Sequence, residues 1–586
     1  MKFLGNLLAT IIGCLIAFGI LFLMFIIFIS LVGSAEDKVV VKNNSVLELQ
    51  LQQPIKDYVG SNGADPFSSL FEESLGLNTI LHAIKVAKDD DKIKGISINN
   101  NFLIAGLAQT KALRNAIKEF KEDGKFVYAY GDFYMQKDYY LASVADSVFL
   151  NTVGSMDYKG LSSEVLFFKD LQDKTGVKME VIRHGKYKSA VEPFLSNEMS
   201  DANRTQIKEL IGSIWGSMIE DISEGRNISA QDLNIIADTL GGRSPELAIA
   251  SGLIDDTVFY DQYEDKLKAA TGISIEEDIN YVSLEDYAIG ANKKKIHKGK
   301  DKIAIIYAQG EIMYGEGGPD IIAQGIINRA LIKAREDESV KAIVLRVDSP
   351  GGNALTSDLI WREVELAKEM KPVVVSMGNV AASGGYYIAV GADKIYAEPT
   401  TITGSIGVFG VVPNMSELAA DIGINAEQVG TNKNSVDYSL FEPMTDGYRN
   451  VVQEGVEDVY QTFLSRVAQG RNISMEKADS LAQGRVWSGL DAKRLGLIDE
   501  LGGLEDAIEE AASLAGLDTY RIRNYPKYKS GLERFLEDYA SASIKVKQSF
   551  IEEEIGIEAY SILKEVKAAM EQKGIQARLP FALNIK

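Results

Sequence analysis

The sequence predicts an α/β protein made of two copies of one domain. Short β-branched runs alternate with helical patterns in both halves. The second half repeats the first at a fixed separation, and such long-period repeats decide architecture before local propensity does. An apolar run at the N-terminus adds a membrane-spanning segment ahead of the duplicated body.

Leu7 to Val32 is almost entirely apolar and carries no charge. At about 1.5 Å of helix per residue it crosses a bilayer with room to tilt. A cleaved signal peptide has a shorter apolar core, roughly 7–15 residues. Val32-Gly33-Ser34-Ala35 nevertheless has the small residues of a cleavage site, so removal of the segment stays open. Ile11-Ile12-Gly13-Cys14 looks like a lipobox, but the apolar run continues past Cys14. Lys2 precedes the run, and Glu36 and Asp37 follow it. The positive-inside tendency then puts the N-terminus in the cytoplasm and the rest of the chain outside. Residues 1–36 are expected to be this anchor.

The repeat begins in the soluble part. Lys94-Gly95-Ile96-Ser97-Ile98 matches Lys341-Ala342-Ile343-Val344-Leu345, a separation of 341 − 94 = 247. At the same separation Tyr139-Tyr140-Leu141-Ala142 matches Tyr386-Tyr387-Ile388-Ala389. Gly225-Arg226-Asn227-Ile228-Ser229 pairs with Gly470-Arg471-Asn472-Ile473-Ser474, and Gly252-Leu253-Ile254-Asp255 with Gly496-Leu497-Ile498-Asp499. These matches bound one copy at 45–292 and a second at 302–520. The basic stretch 293–301 reads as a solvated linker. Residues 521–586 read as a helical extension, because Leu532 to Met570 alternates charged and apolar residues at helical spacing.

In the second copy, strands are expected at Ile303–Tyr307, Lys341–Val347, Val373–Ser376 and Lys394–Ala397. Helices are expected near Ser357–Met370, Gly385–Gly391, Glu454–Ala468 and Ser474–Gln483. Gly378 and Asn379 should break the third strand. Ala381-Ala382-Ser383-Gly384-Gly385 then turns into a helix, so Ser383 stands where helix amides can face a developing oxyanion. Taken alone, this is also an ordinary helix entry. Upstream, Arg346-Val347-Asp348-Ser349-Pro350-Gly351-Gly352 ends a strand in a glycine turn whose amides can face a tetrahedral intermediate. Gly404-Ser405-Ile406-Gly407 follows, and Tyr187-Lys188-Ser189-Ala190-Val191-Glu192-Pro193 lies far upstream in the first copy.

In this order, these four stretches resemble the signal peptide peptidase A family, also called protease IV, over roughly residues 45–520. The resemblance implies membrane-bound serine proteases with a Ser–Lys dyad. It also implies the fold of the Clp protease subunit and crotonases, a parallel-sheet superhelix with flanking helices. By that pattern Ser383 is the nucleophile, Lys188 the general base and Ser405 the partner of the lysine amine. The amides of Gly352 and Gly384 form the oxyanion hole. No cofactor is implied. Substrates would be cleaved signal peptides and other unfolded apolar segments, and the assembly a homotetramer. The chain would sit in the inner membrane with its catalytic domains on the periplasmic side, touching lipid through the N-terminal helix.

The repeat narrows where this chemistry can sit. Ser383 falls opposite Gln136, and Gly384-Gly385 opposite Lys137-Asp138, so the first copy lacks a nucleophile. Aligning Glu192-Pro193 with Glu442-Pro443 puts Lys188 opposite Tyr438, so the second copy lacks the base. One site per chain therefore needs both halves. A free lysine, pKa about 10.4, is protonated at neutral pH. Burial among Ala190, Val191 and Phe194 would favour its neutral, proton-accepting form.

Composition excludes several classes. A net charge of −21 over 586 residues argues against a nucleic-acid partner. One cysteine excludes an intrachain disulfide, and three scattered histidines form no zinc motif. His184, four residues before Lys188, leaves a Ser–His arrangement as the rival base. No P-loop occurs, and Gly404-Ser405-Ile406-Gly407 is not a GxSxG elbow. Two other functions remain as alternatives: a crotonase-like acyl-CoA hydrolase and a catalytically idle membrane scaffold.

Overall fold

The computed structural model of the chain describes residues 2–34, 40–60, 75–432, 434–435, 438–528 and 576–578. Two largely parallel sheets form its body, one per repeat; in the second, Val486–Ser488 runs antiparallel to Ile402–Gly404. In the first, the strand order is Asp256–Thr257, Ser147–Met156, Phe126–Tyr134, Ile93–Asn99, Ser45–Leu49, Asn280–Ser283. In the second it is Val486–Ser488, Ile402–Gly404, Val373–Ala382, Val340–Ser349, Lys302–Gln309, Arg521–Tyr525. Lys394–Ala397 pairs along the earlier part of Val373–Ala382, and Glu500–Leu501 pairs with it in turn. The central strands read as continuous Val/Ile/Ala runs because helices cover both faces, as parallel sheets require. Val373, Val374 and Val375 are all fully buried.

Arg521–Tyr525 corrects the expected domain boundary. It is a strand, parallel to Lys302–Gln309, and it occupies in the second sheet the edge that Asn280–Ser283 occupies in the first. The second repeat thus runs past residue 520. Residues 529–575, where the rest of the helical extension was expected, lie outside the described residues.

Gly378 and Asn379 do not end their strand. Val347 pairs with Met377, yet Ser349 pairs with Ala381, so the two residues form a bulge and Val373–Ala382 continues to the turn at Ser383. The bulge is held by Asp348, whose Oδ1 accepts the Val380 amide at 2.9 Å. Burial, and then the Asp57 carboxylate, push the Asp348 carboxyl above the usual carboxylate range.

A third sheet joins the halves. Lys178–His184, from the first repeat, runs antiparallel to Val408–Asn414, from the second. Its order is Ile321–Ile322, Glu311–Ile312, Gly351–Asn353, Gln576–Arg578, Val408–Asn414, Lys178–His184. A buried ion pair also bridges the halves: Arg346 Nε lies 2.6 Å from Asp57 Oδ2. Gln109 Nε2 donates to the same carboxylate at 2.9 Å, so the pair's remaining acceptor is satisfied.

The anchor expected over residues 1–36 falls partly on residues outside those described. The backbone from Lys2 to Ser34 is helical. Among the described residues, no helix is long and apolar enough to cross a membrane. Within 10–24 the apolar side chains, Leu15 and Phe18 among them, are exposed.

Candidate active site

The junction strand delivers Lys188. After His184 the chain turns at Gly185, Tyr187 N–H donates to the Gln483 carbonyl at 2.8 Å, and Lys188 caps a short helical turn over Ser189–Val191. Gln206 Nε2 braces the turn through the Tyr187 carbonyl at 3.1 Å, and Glu192 Oε2 accepts from Asn203 Nδ2 at 2.6 Å. The lysine stem enters the second repeat through a slot with no room for a side chain. A methyl on Gly484 would lie 2.7 Å from Lys188 Cβ, and one on Gly407 would lie 3.2 Å from its Cδ. Gly484 also has φ +79°, a backbone only glycine adopts without strain.

At the end of the slot, Lys188 Nζ lies 2.9 Å from Ser383 Oγ, 2.9 Å from Ser405 Oγ and 3.1 Å from the Ser405 carbonyl oxygen. All three residues are fully buried. Among the described residues no carboxylate pairs with the amine, and desolvation alone pushes its pKa well below the ordinary lysine range. A neutral amine has two N–H donors and one lone pair. The Ser405 carbonyl can only accept, so one N–H is committed to it. The other N–H faces Ser405 Oγ, which leaves the lone pair for the Ser383 hydroxyl proton.

Ser383 is itself strained. Its φ of 55° and ψ of −115° lie where side chains are rare, a cost of about 1–3 kcal/mol. The surroundings hold it there. Ser383 N–H donates to the Gly404 carbonyl at 2.8 Å, and the Ser383 carbonyl accepts from Tyr387 N–H at 2.9 Å, opening the helix Gly384–Ala389. Gly351 and Gly384 approach one another: a methyl on Gly351 would lie 2.8 Å from the Gly384 nitrogen. Gly352 follows in the strand Gly351–Asn353, beside Ile312.

His184 does not face this cluster. Its Nδ1 lies 2.7 Å from Glu457 Oε1, and its ring stacks on Tyr460 at 3.8 Å between centroids. Lys186 lies over the Tyr187 ring. Gln136, opposite Ser383 in the repeat, accepts the Lys159 and Gly160 amides at 3.0 and 2.8 Å and donates to the Gly160 carbonyl at 2.9 Å. Cys14 is exposed in the N-terminal helix.

The structure brings together Lys188, Ser383, Ser405 and the glycine turns. Sequence reading missed Gly484, whose only signal was a glycine after the Ser474–Gln483 helix. It also missed the brace from Asn203 and Gln206, which had no signal.

The model of peptidase family S49 matches residues 119–274 and 365–518, one block in each repeat. The chain belongs to peptidase family S49. Protease 4 of Haemophilus influenzae is 40% identical over 445 residues, spanning 74% of this chain and 72% of that protein. The chloroplastic serine protease SPPA of Arabidopsis thaliana is 32% identical over 485 residues, 81% of this chain and 70% of that one. A solved structure of a ClpP1 mutant from Listeria monocytogenes covers 35% of this chain and 94% of its own at 14% identity and a TM-score of 0.24; the assignment does not rest on it. This S49 member is a serine peptidase. That class replaces both the acyl-CoA hydrolase and the idle scaffold.

Proposed function

We propose that this S49 peptidase works through a Ser383–Lys188 dyad assembled across its two repeats. One observation carries the reading: a fully buried lysine, without a carboxylate partner among the described residues, has its amine 2.9 Å from Ser383 Oγ. Neutral Lys188 takes the hydroxyl proton as Ser383 attacks the peptide carbonyl. The amides of Gly352 and Gly384 hold the oxyanion. Lys188 then passes the proton to the leaving amine, and next activates the water that hydrolyses the acyl-enzyme. Ser405 orients the amine without recharging it.

The anchor belongs to the same proposal. An uncharged apolar run and a helical backbone over Lys2–Ser34 support a single span, N-terminus in the cytoplasm, with the repeats on the far side. Substrates at such a site are membrane-derived apolar peptides, cleaved signal peptides foremost. The Clp/crotonase-type superhelix and the homotetramer rest on the family resemblance. The test is hydrolysis of an unfolded polypeptide, casein, by the detergent-extracted full chain. Wild type should cleave it and Ser383→Ala should not; equal rates would overturn the dyad.

A further inference from the structure

One turn touches both Lys188 and Ser405. Gln483, Gly484 and Arg485 follow the helix Met475–Leu481. The Gln483 carbonyl accepts from Tyr187 N–H at 2.8 Å, and Gly484 packs so closely that a methyl on it would lie 2.6 Å from the Lys188 nitrogen. On the other side, Gly484 N–H donates to the Ile406 carbonyl at 2.8 Å, and the Arg485 carbonyl accepts from Ser405 N–H at 2.7 Å. The turn is strained. Gln483 has φ 55° and Ser405 φ 53°, where side chains are uncommon.

Tyr460 holds this turn. It lies on the long helix Asp446–Arg471 and is buried. Its hydroxyl donates to Asp479 Oδ1 at 2.5 Å. The same oxygen accepts from Gln483 Nε2 at 3.2 Å and, more weakly, from Gln483 N–H at 3.4 Å. Gln483 Nε2 also donates to Asp479 Oδ1 at 2.7 Å. Burial, and then the bond to Asp479, push the phenol well above the ordinary tyrosine range, so it keeps its proton.

The first repeat has the same link without the acceptor. Trp215 and Asn234 precede Tyr460 and Asp479 by 460 − 215 = 479 − 234 = 245 residues, the separation that matches Gly225 with Gly470. Trp215 Nε1 donates to Asn234 Oδ1 at 2.9 Å and joins the corresponding helices, Asp201–Arg226 and Ala230–Asp238. An indole N–H only donates, whereas a phenol also accepts. The second repeat's ring can thus take donors from the turn beyond its helix, and that turn borders Lys188 and Ser405.

We propose that Tyr460 is a positioning residue of this site: its accepting hydroxyl holds the Gln483–Arg485 turn, and the turn sets the Lys188 amine and Ser405 against Ser383. The inference rests on the Ser383–Lys188 reading above. Without the hydroxyl the turn relaxes from positive φ, the slot around the lysine stem loosens and water reaches the amine. Solvation favours the charged amine, so a loosened slot raises the pH at which Lys188 becomes a base.

The test is the rate–pH profile of casein hydrolysis by detergent-extracted full chains, with thermal midpoints taken on the same samples. Tyr460→Phe keeps the ring and loses the hydroxyl. It should lower turnover about ten-fold at neutral pH and leave KM within about two-fold. Its rising limb should move to higher pH by at least about half a unit. Asp479→Asn keeps an acceptor oxygen and should keep the wild-type limb. Gln483→Gly adopts the strained φ freely, so adding it to Tyr460→Phe should bring the limb most of the way back. An unshifted limb in Tyr460→Phe, or one that Gln483→Gly fails to return, overturns the inference. So does a rate loss that follows a lowered thermal midpoint with the limb in place. If Tyr460→Phe does not fold, Gln483→Ala removes the same contact from the turn's side, and an unmoved limb there overturns the inference. A Ser383→Ala chain that still hydrolyses casein overturns the dyad and this role with it. A dead Ser383→Ala beside an unshifted Tyr460→Phe overturns this role alone.

Discussion

The two repeats use one scaffold to opposite ends. In each, a tyrosine on the helix after the third strand donates to a distant carbonyl: Tyr139 to Leu253 at 2.9 Å, Tyr386 to Leu497 at 2.7 Å. In each, an arginine at the end of the long helix reaches an aspartate two helices further on, Arg226 to Asp255 and Arg471 to Asp499. They differ at the turn before the tyrosine helix. In the first repeat Gln136 ties down Lys159 and Gly160, and Asp138 accepts from the Leu103 amide at 2.8 Å and from Asn100 Nδ2 at 3.0 Å. Side chains fill the corner and satisfy its backbone. In the second repeat, serine and glycines leave the same corner bare, and the Ala577 carbonyl lies in it. On the proposed dyad, the catalytic corner is a structural corner with its own hydrogen-bonding side chains removed.

The comparison breaks most visibly if the bare corner proves dispensable. Ser383→Ala and Lys188→Ala should each cut casein hydrolysis by about 10⁴-fold or more. Residues acting as a unit are non-additive, so the double variant should be no worse than either alone. A Lys188→Ala chain that keeps most of its rate would remove the base from the scheme.

Next in size is Ser405→Ala, expected to lower turnover by roughly 10- to 1,000-fold. It removes an orienting partner but not the burial that depresses the lysine pKa. The apparent pKa of the rate–pH profile should therefore move little. The sign of that profile follows from proton count. Protonated Lys188 cannot accept, so activity rises as pH climbs through its lowered pKa. Stability has the same sign. The folded chain releases this proton at lower pH than the unfolded chain, where lysine titrates near pH 10.4. Between those values the unfolded state holds more protons, and stability increases with pH. Lys188→Met should lose that part of the slope in thermal midpoints taken across the range.

His184→Ala should leave casein hydrolysis within a few-fold of wild type, because its ring serves Glu457 and Tyr460. A dead but folded His184→Ala would restore the histidine base.

The smallest effect on catalysis belongs to the first repeat. Gln136→Ser with Lys137→Gly copies the second repeat's residues into the first. Placed in Ser383→Ala, it should restore no hydrolysis, since on the proposed dyad the Lys188 base serves the other corner. It should instead release the Lys159 and Gly160 amides, at about 1 kcal/mol per lost hydrogen bond, read as faster hydrogen exchange there. Any regained activity would mean that the corner alone makes the enzyme.

Much of this was legible in the sequence. The alternation of Val/Ile runs with helical patterns fixed the central strands; Lys394–Ala397 has the expected bounds. Mismatches inside the repeat, Gln136 for Ser383 and Tyr438 for Lys188, pointed to a split site. Other features depend on tertiary pairing and leave no local pattern. The Gly378–Asn379 bulge looks like a strand end until Asp348 is seen holding Val380. Arg521–Tyr525 alternates charged and apolar residues as an edge strand does, so nothing in its composition joined it to a buried sheet. Gln576–Arg578 is three residues long, too short for periodicity to show.

The junction between Lys178–His184 and Val408–Asn414 also bears on the order of synthesis. A growing chain exposes its N-terminal half first. At that stage, on the proposed dyad, the lysine exists and the serine has not been made. Neither the slot bounded by Gly407 and Gly484 nor the strand Val408–Asn414, against which Lys178–His184 pairs, is yet available. On that reading the peptidase is inert throughout its own translation, and becomes competent only when its last third has folded back onto its first. On the same reading a chain broken off early carries no stray proteolytic activity, and the duplication works as a check that the molecule has been finished.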